Sequence, residues 1–439
     1  MKEKFLLGAS TAAHQVEGNN IHSDFWALEQ MEGSSYKEPS RDAVDHYNRY
    51  QEDIRLMREA GLNAFRFSIE WARIEPVKGI YDEDEIRHYK KVLQCCHDNG
   101  ITPIVTMHHF SSPKWLISEG GWENEDTVQY FADYCRYVIK RLGSQMEYVC
   151  TINEANMGLQ IAAVAKDMMR KMGVNPQVGM NFNLSEEFKK RRGNEAAVFG
   201  LKPDQPVNTF LSMRTEKGDL LIMRAHEAAR DAMKAECPHL KVGLTLSLYD
   251  LQPQEGGEEM AEKMWKDDFE HYLPYLQKDD FIGIQNYTRK LVDKNGGLPA
   301  PEGSELTQMG YEFYPEGISH VVRHVAEQFS IPILVTENGI ATDDDTRRVE
   351  YIRRAVAGIA ECVRDGIPVK GYLHWTFMDN FEWQEGYAIT FGLVAVDRTS
   401  QKRTPSQVWN IWEAFWKNLR TQRIDLKEAK ENVHGKSDF

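Results

Sequence analysis

Short apolar runs rich in β-branched residues alternate with longer stretches of helical period along most of the chain. FLLGAST (5–11), AFRFSI (64–69), TPIVTMHH (102–109), EYVCTIN (147–153), KVGLTLSLY (241–249), FIGIQNY (281–287), PILVTE (332–337) and VKGYLHWTF (369–377) read as strands. Near-continuous apolar character, rather than strict alternation, suits parallel strands covered on both faces. In YNRYQEDIRLMREAG, Tyr50, Ile54, Met57 and Ala60 share one helical stripe, and Gly61 marks the stop. HYKKVLQCCHDNG stops at Gly100, and NEDTVQYFADYCRYVIKRLG runs from a candidate Asn124 cap to Gly143. Further helical patterns lie at about 219–236, 316–329, 345–365 and 405–419. Eight such strand–helix units predict an α/β fold, a single-domain (β/α)8 TIM barrel over residues 1–420. Residues 155–218 break the rhythm and read as a long loop or insertion, and 421–439 as a polar C-terminal tail.

Composition narrows the function. A formal charge of −14 argues against a nucleic-acid partner. No apolar stretch approaches ~20 residues, so no membrane span is expected. The apolar run Phe5–Leu7 is too short for a signal-peptide core, and the six cysteines show no C-x-x-C spacing. Reduced thiols in a cytoplasmic protein are expected. The 10 Trp and 18 Tyr suit sugar faces as well as cores.

In a barrel of this kind the reactive groups gather where the strands end. Those positions here hold Arg66, His108 and His109, Asn153 and Glu154, Asn286 and Tyr287, Glu337, then Trp375, Asp379, Glu382 and Trp383. Glu154 and Glu337 end strands four and seven, so they face each other across the barrel mouth. Two opposed carboxyl groups suit glycoside hydrolysis: one protonates the leaving oxygen, and the other attacks the anomeric carbon or activates water. Mutual repulsion keeps the acid protonated, while the ionised partner needs a cation and donors, for which Arg66 and Tyr287 are candidates.

The chain resembles glycoside hydrolase family 1, the β-glucosidase-type barrels. FLLGASTAAHQVEG, GLNAFRFSIEWARIEP, ITPIVTMHHFSSPKWL, GGWENEDTVQYFADYCRYV, TINEAN, VTENGIA, HWTFMDNFEWQEGY and FGLVAVD carry the likeness, in the family's order. The resemblance implies a retaining pair with Glu154 as acid/base and Glu337 as nucleophile, their carboxyl groups roughly 5–5.5 Å apart. It places sugar contacts at Gln15, His108, Asn153, Trp375, Glu382 and Trp383, and Tyr287 as support for the nucleophile. A small-molecule β-glycoside is the implied partner, with neither cofactor nor metal. Glu382 stands where relatives that cleave phosphorylated disaccharides carry small or cationic residues, which points to an unphosphorylated sugar, glucose first.

Three departures from the family pattern stand out. Ala155 replaces a proline, which should relax the backbone slightly. Gln285-Asn286 replaces the residues before the tyrosine and puts contacts from those two positions in doubt. The Met-rich stretch AKDMMRKMGVNPQVGMNFNLSEEF replaces the usual aglycone-side sequence. Two other classes are weaker fits. A metal-dependent barrel hydrolase needs ligands converging on one face, whereas His108 and His109 are adjacent on a strand and so point to opposite faces. A non-catalytic sugar-binding relative would usually lack one carboxylate. A transglycosylating relative would keep both.

Overall fold

The computed structural model describes residues 4–171 and 186–406. Eight strands form a closed parallel barrel: β1 (Leu6–Ser10), β2 (Ala64–Ser68), β3 (Thr102–His108), β4 (Tyr148–Ile152), β5 (Lys241–Ser247), β6 (Phe281–Gln285), β7 (Ile333–Asn338) and β8 (Val369–Trp375). Each strand pairs with its sequence neighbours, and β8 closes on β1 with Leu6 opposite Gly371 and Ser10 opposite Trp375. All eight fall on the apolar runs read from the sequence. The helices that follow the first seven strands are α1 (His46–Glu59), α2 (Glu83–Asp98), α3 (Thr127–Leu142), α4 (Glu216–Glu236), α5 (Glu258–Asp268), α6 (Gly317–Gln328) and α7 (Asp345–Arg364). The helix expected at 405–419 and the tail at 421–439 lie outside the described residues, apart from Pro405 and Ser406.

Local chemistry sets the helix limits. Asp82, Thr215 and Asp344 cap α2, α4 and α7 by accepting backbone N–H groups of the first turn. Gly61 follows α1 at φ +79°, a left-handed stop that a side chain resists. Asn124 does not cap α3, which starts at Thr127; its side chain instead accepts the Asp126 N–H in the turn before.

The barrel has two apolar layers. Leu6, Ala64, Ile104, Tyr148, Cys150, Phe281, Leu334 and Leu373 fill the interior. Leu7, Phe65, Val105, Val149, Val242, Ile282, Ile333, Val335 and Tyr372 face outward and pack in the larger core shared with the helices. Burial on both faces is why these strands read as unbroken apolar runs.

Short pieces surround this frame. Asp250–Pro253, Arg289–Asp293 and Gly296–Gly297 make a small sheet beyond β5 and β6, and Val394–Val396 pairs with Arg403–Pro405. Ahead of α4 in the β4–β5 connection, the described part of residues 155–218 holds two helices, Met157–Lys171 and Glu186–Val198, where a long loop or insertion was expected. All six cysteines are free thiols, and no helix among the described residues is long and apolar enough to cross a membrane.

Leu334 is fully buried in the inner layer. Leu334→Ala is expected to lower the free energy of unfolding by roughly 2–5 kcal/mol, read from the shift of a urea transition. A loss below about 1 kcal/mol would mean that the interior is loosely filled.

Candidate active site

Glu337 owes its position to an irregularity in β7. Leu334 points into the barrel and Val335 out, so strict alternation would turn Glu337 outward. Between Val335 and Glu337 the register against β6 slips: Val335 pairs with Ile284 and Glu337 with Gln285, leaving Thr336 as the extra residue. A bulge of this kind re-aims the side chain that follows it. Asn338 then anchors the strand end, donating to Asn286 O (2.6 Å) and accepting from the Tyr372 hydroxyl (2.8 Å). Next comes Gly339, where a Cβ would stand 1.9 Å from the Trp375 carbonyl oxygen, so only glycine fits.

Arg66 reaches the Glu337 carboxylate from β2. One of its nitrogens donates to Glu337 Oε1 (2.6 Å) and the other to Asn153 Oδ1 (2.5 Å), and the guanidinium is fully buried. Gln285 makes the same bridge, donating to Asn153 Oδ1 (2.7 Å) and Glu337 Oε1 (3.1 Å). Tyr287 donates its hydroxyl to Glu337 Oε2 (2.6 Å). Both oxygens of Glu337 are therefore met by donors, and the ends of β4 and β7 are tied together through two side chains.

Glu154 follows Asn153 with φ +43°, a left-handed conformation that costs a non-glycine residue roughly 1–2 kcal/mol. Its N–H donates to Thr245 Oγ1 (3.0 Å), the Ala155 N–H donates to Thr245 O (3.1 Å), and Arg214 donates to Ala155 O (2.6 Å). The Ala155 substitution thus adds a backbone hydrogen bond that proline could not make, rather than loosening the turn.

The two glutamates differ in their surroundings. Burial raises the pKa of Glu154 well above the usual carboxyl range; the Glu337 charge adds to this, and the Ser247 hydroxyl and Arg66 only partly oppose it. Burial also raises Glu337, but the Arg66 charge and the hydrogen bonds from Tyr287 and Arg66 work against it. A proton held by the pair therefore resides on Glu154, and Glu337 is the ionised member.

Next to the carboxyl pair stand polar and aromatic side chains from β1, β3 and β8. Gln15 donates to Phe381 O (2.8 Å), Asn380 Oδ1 (3.2 Å) and Glu382 Oε2 (3.3 Å), and its own Oε1 is buried without a protein partner. Burial and the Glu337 charge push the Glu382 carboxyl up to about 8, against hydrogen bonds from Gln15 and Trp375. An ionised carboxylate at this position would repel a sugar phosphate, and a carboxyl that is largely neutral at pH 7 does so less. Trp375 is buried, with the His109 ring against it at 5.6 Å and 26°.

His108, expected among the sugar contacts, faces away. Its Nε2 meets the Ser112 hydroxyl (2.9 Å), and its ring packs on Trp122 and Phe210 in the outer layer. His109 takes the place instead, with Nε2 3.2 Å from Asn153 Nδ2 and 4.0 Å from Glu337 Oε1. Because Asn153 Oδ1 already accepts from Arg66 and Gln285, its NH2 faces His109, whose Nε2 must accept; the ring proton belongs on Nδ1. Burial and the Arg66 charge hold His109 well below the usual imidazole range, so it is neutral. The sequence does not single out Thr245, and it marks Gln285 only as a departure whose contacts are in doubt. Gln285 contacts both Glu337 and Asn153, whereas Asn286 braces the backbone by donating to Leu248 O and Thr288 O (both 2.8 Å). No group of three or more His, Cys, Asp or Glu able to hold a metal occurs among the described residues.

Known proteins share this arrangement of strands. The crystal structure of the β-glycosidase BGL167 matches with TM-score 0.86 at 44% identity, over 96% of this chain and 97% of the other. The apo structure of a β-glucosidase designated 1317 matches with TM-score 0.83 at 39% identity, over 94% and 98%. A β-glucosidase of Agrobacterium sp. is 30% identical over 431 residues, 91% of this chain and 92% of that protein. The family model for glycosyl hydrolase family 1 matches residues 1–169 and 259–419, and the chain belongs to that family.

Proposed function

We propose that the protein is a retaining, exo-acting β-glucosidase that hydrolyses unphosphorylated β-D-glucosides through a covalent glycosyl-enzyme. The observation that carries this reading is the contrast between the two glutamates, one held by three donors and one buried beside its charge. In the first step Glu337 attacks the anomeric carbon as Glu154 gives its proton to the departing glycosidic oxygen. Ester formation removes the Glu337 charge, and with it the repulsion that kept Glu154 protonated. Glu154 then takes a proton from water, which attacks the anomeric carbon, frees Glu337 and yields the sugar with its configuration retained.

The surrounding residues suit the sugar. Asn153 has one amide hydrogen left for the 2-hydroxyl after the His109 contact, a bond that strengthens as charge develops on the ring. Trp375 offers a flat face to the C–H side of the ring, and Trp383 an indole N–H donor. Gln15 Oε1 and Glu382 supply oxygens to further hydroxyls, with galactosides and fucosides tolerated. His109 replaces His108 in this set. The two-helix part of the β4–β5 connection follows directly on Glu154, which favours the aglycone side for residues 155–218. Relatives named β-glucosidase and β-glycosidase support glucoside chemistry.

The protein is expected to turn over an aryl β-glucoside in the presence of chelator, with retention of configuration. Glu337→Gly should abolish hydrolysis, and azide should restore cleavage with inverted product; no rescue in a folded variant counts against the nucleophile. Glu154→Ala should slow substrates with poor leaving groups by about 10²–10⁴-fold while sparing the first step for activated aryl glucosides. The raised pKa of Glu154 makes kcat/KM fall as pH rises through it. This alkaline limb should vanish in Glu154→Ala, and a limb that persists would assign it to another group such as Glu382.

A further inference from the structure

The loop that carries Glu382 and Trp383 rests on the four-residue helix Ala13–Val16 after β1. Gln15 faces the sugar side and ties down Asn380, Phe381 and Glu382, with the Phe381 N–H donating to Gln15 O (3.2 Å). His14, its neighbour, points the other way. Its ring lies parallel to the Trp383 indole, with centroids 5.9 Å apart and planes 3° apart. Phe25, Phe110 and His109 also pack on that indole, at 4.8, 5.3 and 6.2 Å. Trp383 itself has φ +47°, so its backbone does not hold this position without help.

The far side of His14 is built as an anchor. Its Nε2 lies 2.7 Å from Glu29 Oε1, and both side chains are fully buried. The other Glu29 oxygen accepts from the Ser40 N–H (2.9 Å) and hydroxyl (2.6 Å). Asn20 Nδ2 meets His14 Nδ1 at 3.1 Å and the Ser111 hydroxyl at 3.3 Å, and Ser111 donates to Glu70 Oε1 (3.1 Å). None of these groups takes part in the proposed reaction, yet a buried ion pair is costly unless its geometry is satisfied throughout.

We propose that His14 is a positioning residue: anchored by Glu29, it fixes the Trp383 indole and so the wall of the site that meets the sugar. The reading of Trp383 as a sugar contact rests on the proposed β-glucosidase function; the anchoring does not. Glu29 favours the charged form of the His14 ring. Burial opposes its charge, but the charge and hydrogen bond of Glu29, with Glu70 and Asp24 behind, reverse this and raise its pKa. Because the folded pKa is raised, the anchor is intact below that pKa and is lost as pH rises through it.

Three measurements test this. NMR of the His14 imidazole should give a midpoint above 6.5, falling below it in Glu29→Gln. The fluorescence difference between the protein and Trp383→Phe should titrate with the same midpoint, since a stacked imidazolium perturbs the indole. His14→Phe, which keeps an aromatic ring without the anchor, should raise KM for an aryl β-glucoside by about 5–10-fold with kcat changed much less. A Trp383 signal that ignores His14 protonation overturns the proposal, as does an unchanged KM in folded His14→Phe. Should that variant not fold, Glu29→Gln and the native titrations decide. Both titrations use the free protein, so they hold or fail separately from glucoside turnover.

Discussion

The site is organised around one buried guanidinium. Arg66 holds Glu337 and Asn153 with separate nitrogens, and no water-exposed surface screens its charge. A charge so buried is tolerable only while its partners stay in place; leaving one uncompensated costs roughly 3–5 kcal/mol. That constraint runs both ways. The barrel must hold the ends of β2, β4 and β7 at fixed separation for the fork to close, and the closed fork keeps Glu337 ionised in a place where burial alone would neutralise it. Glu154 has no comparable set of donors and takes the proton. Two residues of the same type thereby differ in protonation through their neighbours alone.

Irregular backbone delivers these side chains. In β3, β4 and β7 the inward–outward alternation fails once near the mouth. Ile104 faces in and Val105 and Met107 out, yet His109 rather than His108 enters the site. Tyr148 and Cys150 face in, yet Ile152 joins the outer core and Asn153 meets Arg66. The register slip before Glu337 is the third case. Regular strands give the barrel its stability, and breaks at their ends turn particular side chains toward one point.

These breaks separate what the sequence discloses from what it hides. The barrel strands are legible because burial on both faces needs unbroken apolar runs, and few other structures do. Glu154 and Glu337 are legible because a carboxylate at the end of such a run needs a reason. His109 is not, since counting along β3 from Ile104 favours His108, and the alternation fails between Met107 and His108, which both face the outer layer. Gln285 reads as a departure from a family pattern, and only its distances to Asn153 and Glu337 reveal a second bridge. The sheet at Asp250–Pro253 and Arg289–Asp293 escapes because its strands are short and mostly polar. The helix Glu186–Val198 escapes because charged residues dominate its first half and Gly193 interrupts it.

The central claim is that Glu337 forms a bond to the sugar. Intact-mass and peptide-mapping measurement after incubation with an activated 2-deoxy-2-fluoro-β-glucoside tests it directly, because the fluorine slows release of the glycosyl-enzyme. The account predicts one fluoroglucosyl group per chain, in the peptide that contains Glu337. A label on any other residue, or none while the protein still hydrolyses glucosides, would contradict it.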